Sequence, residues 1–170
     1  MPDVRPLKDA SLAAMTSLAP YSSTRFATDT ATLAVFDPCA LVHRATDDAD
    51  WWSLPKDELL EVNAGNVLFV GLGSDGVYDC HIYRDPPSEV PPGSVVACIR
   101  NVIGSIYVGA GEEVPGDGMG PSTMHGGVLV PVPAGSLTVT VVRSSPTQLQ
   151  VWVVPASSPP GNSFQNTLHV

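Results

Sequence analysis

Glu112, Glu113 and Asp117 place three carboxylates within six residues, and His125 follows eight residues after Asp117. They belong to a glycine-rich stretch, Gly109-Ala-Gly-Glu-Glu-Val-Pro-Gly-Asp-Gly-Met-Gly120. Two carboxylates in unlike surroundings can divide acid and base roles, and with His125 they would make a small hydrolase. Three oxygen donors could also hold a hard cation. The alternating acids and distant closing glutamate of a calcium loop are absent, however. His43, His81, His125 and His169 form no HxH or HxxxH pair for zinc. No bound metal and no cofactor are expected. In the plainer reading the glycines supply positive φ for a wide turn and the acids keep it wet. On that reading the double change Glu112→Gln and Glu113→Gln would alter stability by less than about 0.5 kcal/mol.

The other chemical outlier is Asp50-Trp51-Trp52, two of the three tryptophans side by side in an acidic loop. On an extended backbone neighbouring side chains point to opposite sides, so at most one ring would face the core. The other either covers a short helix or forms an exposed platform for a partner or a sugar. Gly71-Leu-Gly-Ser-Asp-Gly76 fits G-x-G-x-x-G on paper, but no helix follows to meet a phosphate. There is no G-x-S-x-G nucleophile elbow. Val132-Pro-Ala-Gly135 is similar to a turn of cupin-type jelly rolls, whose clustered histidines are missing here.

These residues must be positioned by short strands. The chain has 170 residues, 44% hydrophobic, with 17 prolines and 15 glycines. That size and composition suit one turn-rich domain with a packed core. A net charge of −9 repels phosphate backbones and anionic lipids, which argues against nucleic acid and membrane surfaces as partners and favours a basic protein. The first residues lack a continuous apolar core, so no secretory signal is expected, and no run approaches the length of a membrane span. The expected compartment is cytoplasmic. Cys39, Cys80 and Cys98 suggest no disulfide framework, and the last two read as buried hydrophobes.

Along the chain, residues 1–30 read as a loosely ordered arm with a possible short helix over Lys8–Leu18. Residues 31–155 read as a β-sandwich domain and 156–170 as a flexible or surface-lying extension. Thr32–Asp37 reads as a strand, stopped by Asp37-Pro38. A helix is expected over 54–61, with Pro55 in the first turn and a stop at Asn63-Ala64-Gly65. Asn66–Tyr83 carries two strand-like runs about a Gly-Ser-Asp turn and predicts a β-hairpin. In its second run Tyr78, Cys80 and Ile82 face inward and Asp79 and His81 outward. Further strands are expected over 94–101, 105–109, 128–132, 137–143 and 148–154, with Leu137, Val139 and Val141 inward and Thr138 and Thr140 outward. The set predicts an all-β fold, an antiparallel β-sandwich or jelly roll, with less than about a third of its residues helical.

Three segments together resemble a family of small uncharacterised proteobacterial proteins. They are Thr28–Asp37, Asn66–Tyr78 with its Gly-Ser-Asp-Gly turn, and Gly109–Gly118, and the resemblance spans roughly 28–145. It implies an all-β accessory or immunity-type protein and carries no residue roles. The sequence therefore predicts a non-catalytic protein that binds a protein partner through acidic loops. The residues expected to contact that partner are Glu112, Glu113, Asp117, Trp51, Trp52 and His125. The alternatives are the hydrolase above and a sugar or small-ligand binder built on Trp51 or Trp52.

Overall fold

The computed structural model describes residues 19–170, so the helix expected over Lys8–Leu18 lies outside it. Strand composition sorts the chain into two sheets. Strands that are apolar on both faces, β2 (Thr32–Phe36) and β3 (Val67–Gly71), pair with β6 (Ser105–Ala110) and β7 (Val128–Pro131) in the order β3-β2-β6-β7. Alternating strands, β1 (Ser22–Thr28), β4 (Gly76–Tyr83), β5 (Val95–Asn101), β8 (Gly135–Ser145) and β9 (Gln148–Pro155), form the order β1-β4-β9-β8-β5. The sheets stack on a core that includes Phe26, Leu33, Leu68, Cys80, Ile82, Ile106, Leu137, Val139 and Val141. The all-β sandwich holds, and the predicted phases of β4 and β8 both point into this core.

A second cluster lies on the outer face of the four-stranded sheet. Phe36, Phe69 and Tyr107 from the strands meet Leu41, Trp51, Trp52, Val62 and Val114 from the segments that cover them. That cover is a helical cap. It consists of 3-10 turns at Pro38–Arg44 and Trp51–Ser53 and the helix α1, Pro55–Ala64. Being buried on both faces explains why β2 and β3 read as continuous apolar runs. Helix α1 begins at Pro55 as expected but runs one turn further than predicted. It ends when Gly65 adopts φ +74° and its N–H caps the last turn.

Several expectations need correction. Asn66–Tyr83 is not a hairpin: β3 pairs with β2, β4 pairs with β1 and β9, and the chain crosses between sheets at Leu72–Asp75. Gly73 at φ +77° turns the chain out of the sheet plane. A crossover and a hairpin need the same local residues and differ only in distant partners. The sandwich is also not wholly antiparallel, because β4 and β9 run parallel. Ser22–Thr28, assigned to the loose arm, is an edge strand paired along its length with β4, with Phe26 in the core. Its polar composition reflects one solvated face. Thr140, expected outside, is buried directly opposite Trp152. Cys98 is half-exposed, its Sγ 3.1 Å from Ser136 Oγ, because Val95, Ala97 and Ile99 take the inward phase of β5. Residues 156–170 are pinned to the body. The Asn162 amide donates to the Val62 and Cys98 carbonyls while its oxygen accepts from Cys98 N–H. Asn63 clasps the Phe164 backbone in both directions, and Phe164 and Leu168 pack against both clusters. Among the described residues no helix is long and apolar enough to cross a membrane.

Candidate functional site

The cap is built around Arg44, which leaves the end of its 3-10 turn only slightly exposed. Its Nε donates to Glu61 at 2.7 Å, Nη1 to Asp47 at 2.9 Å and Nη2 to Asp57 at 3.3 Å, and its guanidinium lies 4.6 Å from the centre of the Trp51 ring. Glu61 is buried and also accepts from Asn66 Nδ2 at 2.6 Å and contacts His43 Nε2 at 2.9 Å. Burial opposes its ionisation, but the bonds from Asn66, His43 and Arg44 prevail and hold the carboxyl below its ordinary value. Burial likewise works against the Arg44 charge, yet its carboxylate partners raise its pKa.

Beside this network opens a cleft of about 380 Å³ lined by Arg44, Asp47, Asp48, Asp50, Trp51 and Asp57, among others. A neighbouring loop closes on it. Asp117 N–H donates to the Asp47 carbonyl at 2.7 Å and Gly118 N–H to the Ala45 carbonyl at 2.7 Å. Trp51 Nε1 donates to the Pro115 carbonyl at 2.8 Å. Asp117 sits at φ +50°, a conformation aspartate tolerates better than most residues. The fold thus joins two acidic segments 70 residues apart: Asp47, Asp57 and Glu61 bind the Arg44 guanidinium, Asp48 and Asp50 line the cleft beside it, and Asp117 is tied to the same loop by its backbone bond to Asp47. Asp48, Asp50 and Asp117 are exposed and make no side-chain hydrogen bond or ion pair among the described residues.

The other predicted residues fall elsewhere. Glu113 is buried. It accepts from the backbone N–H and hydroxyl of Ser122, and from His125, whose Nδ1 is 2.6 Å away. Burial would raise its pKa, but the bonds from His125 and Ser122 outweigh it and lower the value. Glu112 accepts from Thr28 Oγ1 at 2.9 Å and from the N–H groups of Asp29 and Thr30 at 2.7 and 3.1 Å. Both glutamates therefore brace loops: Glu113, expected to be solvated, is buried by the turn that folds back onto it, whereas Glu112 is half-buried and gathers donors from the β1–β2 connection. His125 is only partly exposed and meets Glu113, not Asp117. Trp51 and Trp52 are 4% and 6% exposed. They lie in a 3-10 turn instead of an extended strand, so both rings reach the sheet. Trp52 stacks on Phe69 at 5.5 Å and Trp51 meets its edge at 6.1 Å. Neither ring of this pair is exposed as a platform. Nothing in the sequence marks Arg44, and Asp47–Asp50 reads only as a loop. The signal was three aspartates in four residues beside the tryptophan pair.

The described residues form a nine-stranded β-sandwich with an acidic helical cap. The chain belongs to a family of unknown function, DUF6386, whose model matches residues 21–170. That match extends past both ends of the span from which the resemblance was drawn. The chain is also similar to two solved structures. ComJ from Bacillus subtilis, described as an inhibitor of the DNA-degrading activity of NucA, is 11% identical, with 81% of this chain and 97% of that one covered and a TM-score of 0.47. A protein described as crocagin biosynthetic gene J is 13% identical, with 77% and 96% covered and a TM-score of 0.45. No curated protein sequence matches the chain.

Proposed function

We propose that this chain is a non-catalytic accessory protein that captures a basic protein partner through the acidic cleft of its helical cap. One observation carries the reading, the contrast between carboxylates spent inside the fold and unpaired ones beside the cleft. Asp37, Glu61, Glu112 and Glu113 have their oxygens occupied by donors inside the fold. Asp48, Asp50 and Asp117 contribute nothing to the fold through their carboxylates; the first two line the cleft, and Asp117 lies on the loop whose backbone is bonded to Ala45 and Asp47 beside it. Uncompensated like charges brought together repel one another, and a basic side chain in the cleft would relieve that repulsion. A hydrolase needs the Glu113–His125 pair to act on a substrate, and that pair lies outside the cleft, with Glu113 already engaged by Ser122.

The test is a photo-crosslinking residue placed at Asp50 in the cleft or at Glu89 in the loop between β4 and β5, with the protein expressed in its native cell. The reading expects one discrete adduct with a basic protein from position 50 and none from position 89. Adducts of the same pattern from both positions would refute it.

A further inference from the structure

The turn joining β5 to β6, Asn101–Gly104, breaks the ordinary rule for turns. Turn tips favour Gly, Pro, Asn, Asp and Ser, whose side chains or conformational freedom satisfy the bend. Here the tip residues are Val102 and Ile103, 58% and 54% exposed. Their backbone is held from inside. The fully buried Asp37 accepts from Val102 N–H and, at 2.9 Å, from Ile103 N–H with one carboxylate oxygen, while the other accepts from Cys39 N–H at 2.8 Å. Buried Asn101 donates to the Val132 and Pro133 carbonyls at 3.1 and 2.9 Å, and its oxygen accepts from Gly104 N–H at 3.1 Å. Gly104 closes the bend at φ +81°. Two buried polar side chains thus fix three successive N–H groups of a turn that displays two stiff aliphatic side chains to water.

The fold does not require aliphatic residues there, since polar ones would receive the same backbone bonds. A preordered turn with β-branched tips loses little freedom when it is buried in a partner, which is what a binding anchor requires. Asp37 also caps the 3-10 turn Pro38–Arg44, which carries Val42, 69% exposed, and delivers Arg44 to the acidic cleft. The aliphatic tip and the cleft are therefore the two ends of one connector.

We infer that Val102 and Ile103 form the apolar anchor of the same interface, and that the partner presents an apolar socket bordered by lysine or arginine. This rests on the reading of the acidic cap as a binding surface. The chemistry of the occupant follows from charge complementarity: the cap offers an excess of carboxylates, so a second acidic surface, including another copy of this chain, is repelled.

The experiment uses the full chain and three synthetic peptides of equal length, alternating Lys/Leu, Lys/Ser and Glu/Leu, with affinity read by fluorescence anisotropy. The wild-type protein should bind Lys/Leu more tightly than Lys/Ser and ignore Glu/Leu. Val102→Ser with Ile103→Ser should weaken Lys/Leu binding by about fivefold or more and leave Lys/Ser unchanged. The shape-preserving pair Val102→Thr with Ile103→Thr, expected to keep the wild-type Tm, should show the same selective loss. Equal wild-type affinity for Lys/Leu and Lys/Ser, or no effect of either double variant, would overturn the anchor while leaving the acidic cleft standing. Binding of Glu/Leu as tight as Lys/Leu, or no binding of Lys/Leu, would overturn the cleft reading and the anchor with it.

Discussion

Glu113 and Asp117 lie four residues apart and carry the same formal charge, yet their surroundings give them opposite roles. Glu113 gathers Ser122 and His125 around a buried carboxylate, and Asp117 contributes a backbone bond and leaves its carboxylate in water. Replacing Glu113 with Ala strands several donors, so urea denaturation should show a loss of about 1–3 kcal/mol. Asp117→Asn keeps the tolerated backbone conformation and should stay within about 0.5 kcal/mol of wild type. Equal losses would mean the two residues have been assigned the wrong roles. The pH dependence follows from the same bonds. Glu61 and Glu113 titrate below their ordinary value when folded, so their contribution is present above the unfolded value near 4.5 and is lost as pH falls through the folded ones. Glu58 works the other way. Partial burial without a partner lifts its pKa to about 7, so the folded state binds the extra proton and stability declines as pH rises from about 4.5 to 7. Glu58→Gln should remove that decline and raise Tm at pH 8 by up to about 4 °C. A thermal melt series in which wild type and variant stay parallel across that window would contradict the assignment.

Individual elements were legible wherever their local chemistry was one-sided. Tyr78, Cys80 and Ile82 alternate cleanly, and β4 faces the core as its pattern says. Pro55 and Gly65 bracket α1, although Asn63 and Ala64, read as a stop, remain helical. What could not be read was pairing between distant segments. The β3–β4 crossover has the residues of a hairpin, and Ser22–Thr28 looks like a loose arm until its partner strand is known. The site was hidden in the same way. Asp47–Asp50 and Asp117 are unremarkable acidic loops until the backbone bonds from Asp117 and Gly118 bring them together. The buried pair Trp51 and Trp52 locks the cap to the sheet through Phe69, so Trp52→Ala should cost about 3–5 kcal/mol, measured by denaturant unfolding. A loss under about 1 kcal/mol would mean that the cap is not packed as described. The asparagine clasps make a milder demand. Asn162→Ala leaves Cys98 N–H without its acceptor and should cost about 1–3 kcal/mol.

At the scale of the whole molecule, the four-stranded sheet of the sandwich is covered by a cap that concentrates unneutralised carboxylate. A net charge of −9 distributed evenly would serve solubility alone. Here Asp48 and Asp50 line one cleft with Arg44 and Asp117 lies on the loop bonded beside it, so under the proposed function the field has a direction and draws a basic surface to one place. The most direct measurement of that claim compares wild type with the triple variant Asp48→Asn, Asp50→Asn and Asp117→Asn for binding to the partner captured from position 50. Affinity would be read at about 50 and about 500 mM salt, the range over which exposed charges become screened. The triple variant should keep the wild-type Tm, bind about tenfold more weakly at low salt, and converge with wild type at high salt. Equal affinity of the two proteins at low salt would contradict the account, because the free carboxylates would then have no part in recognition.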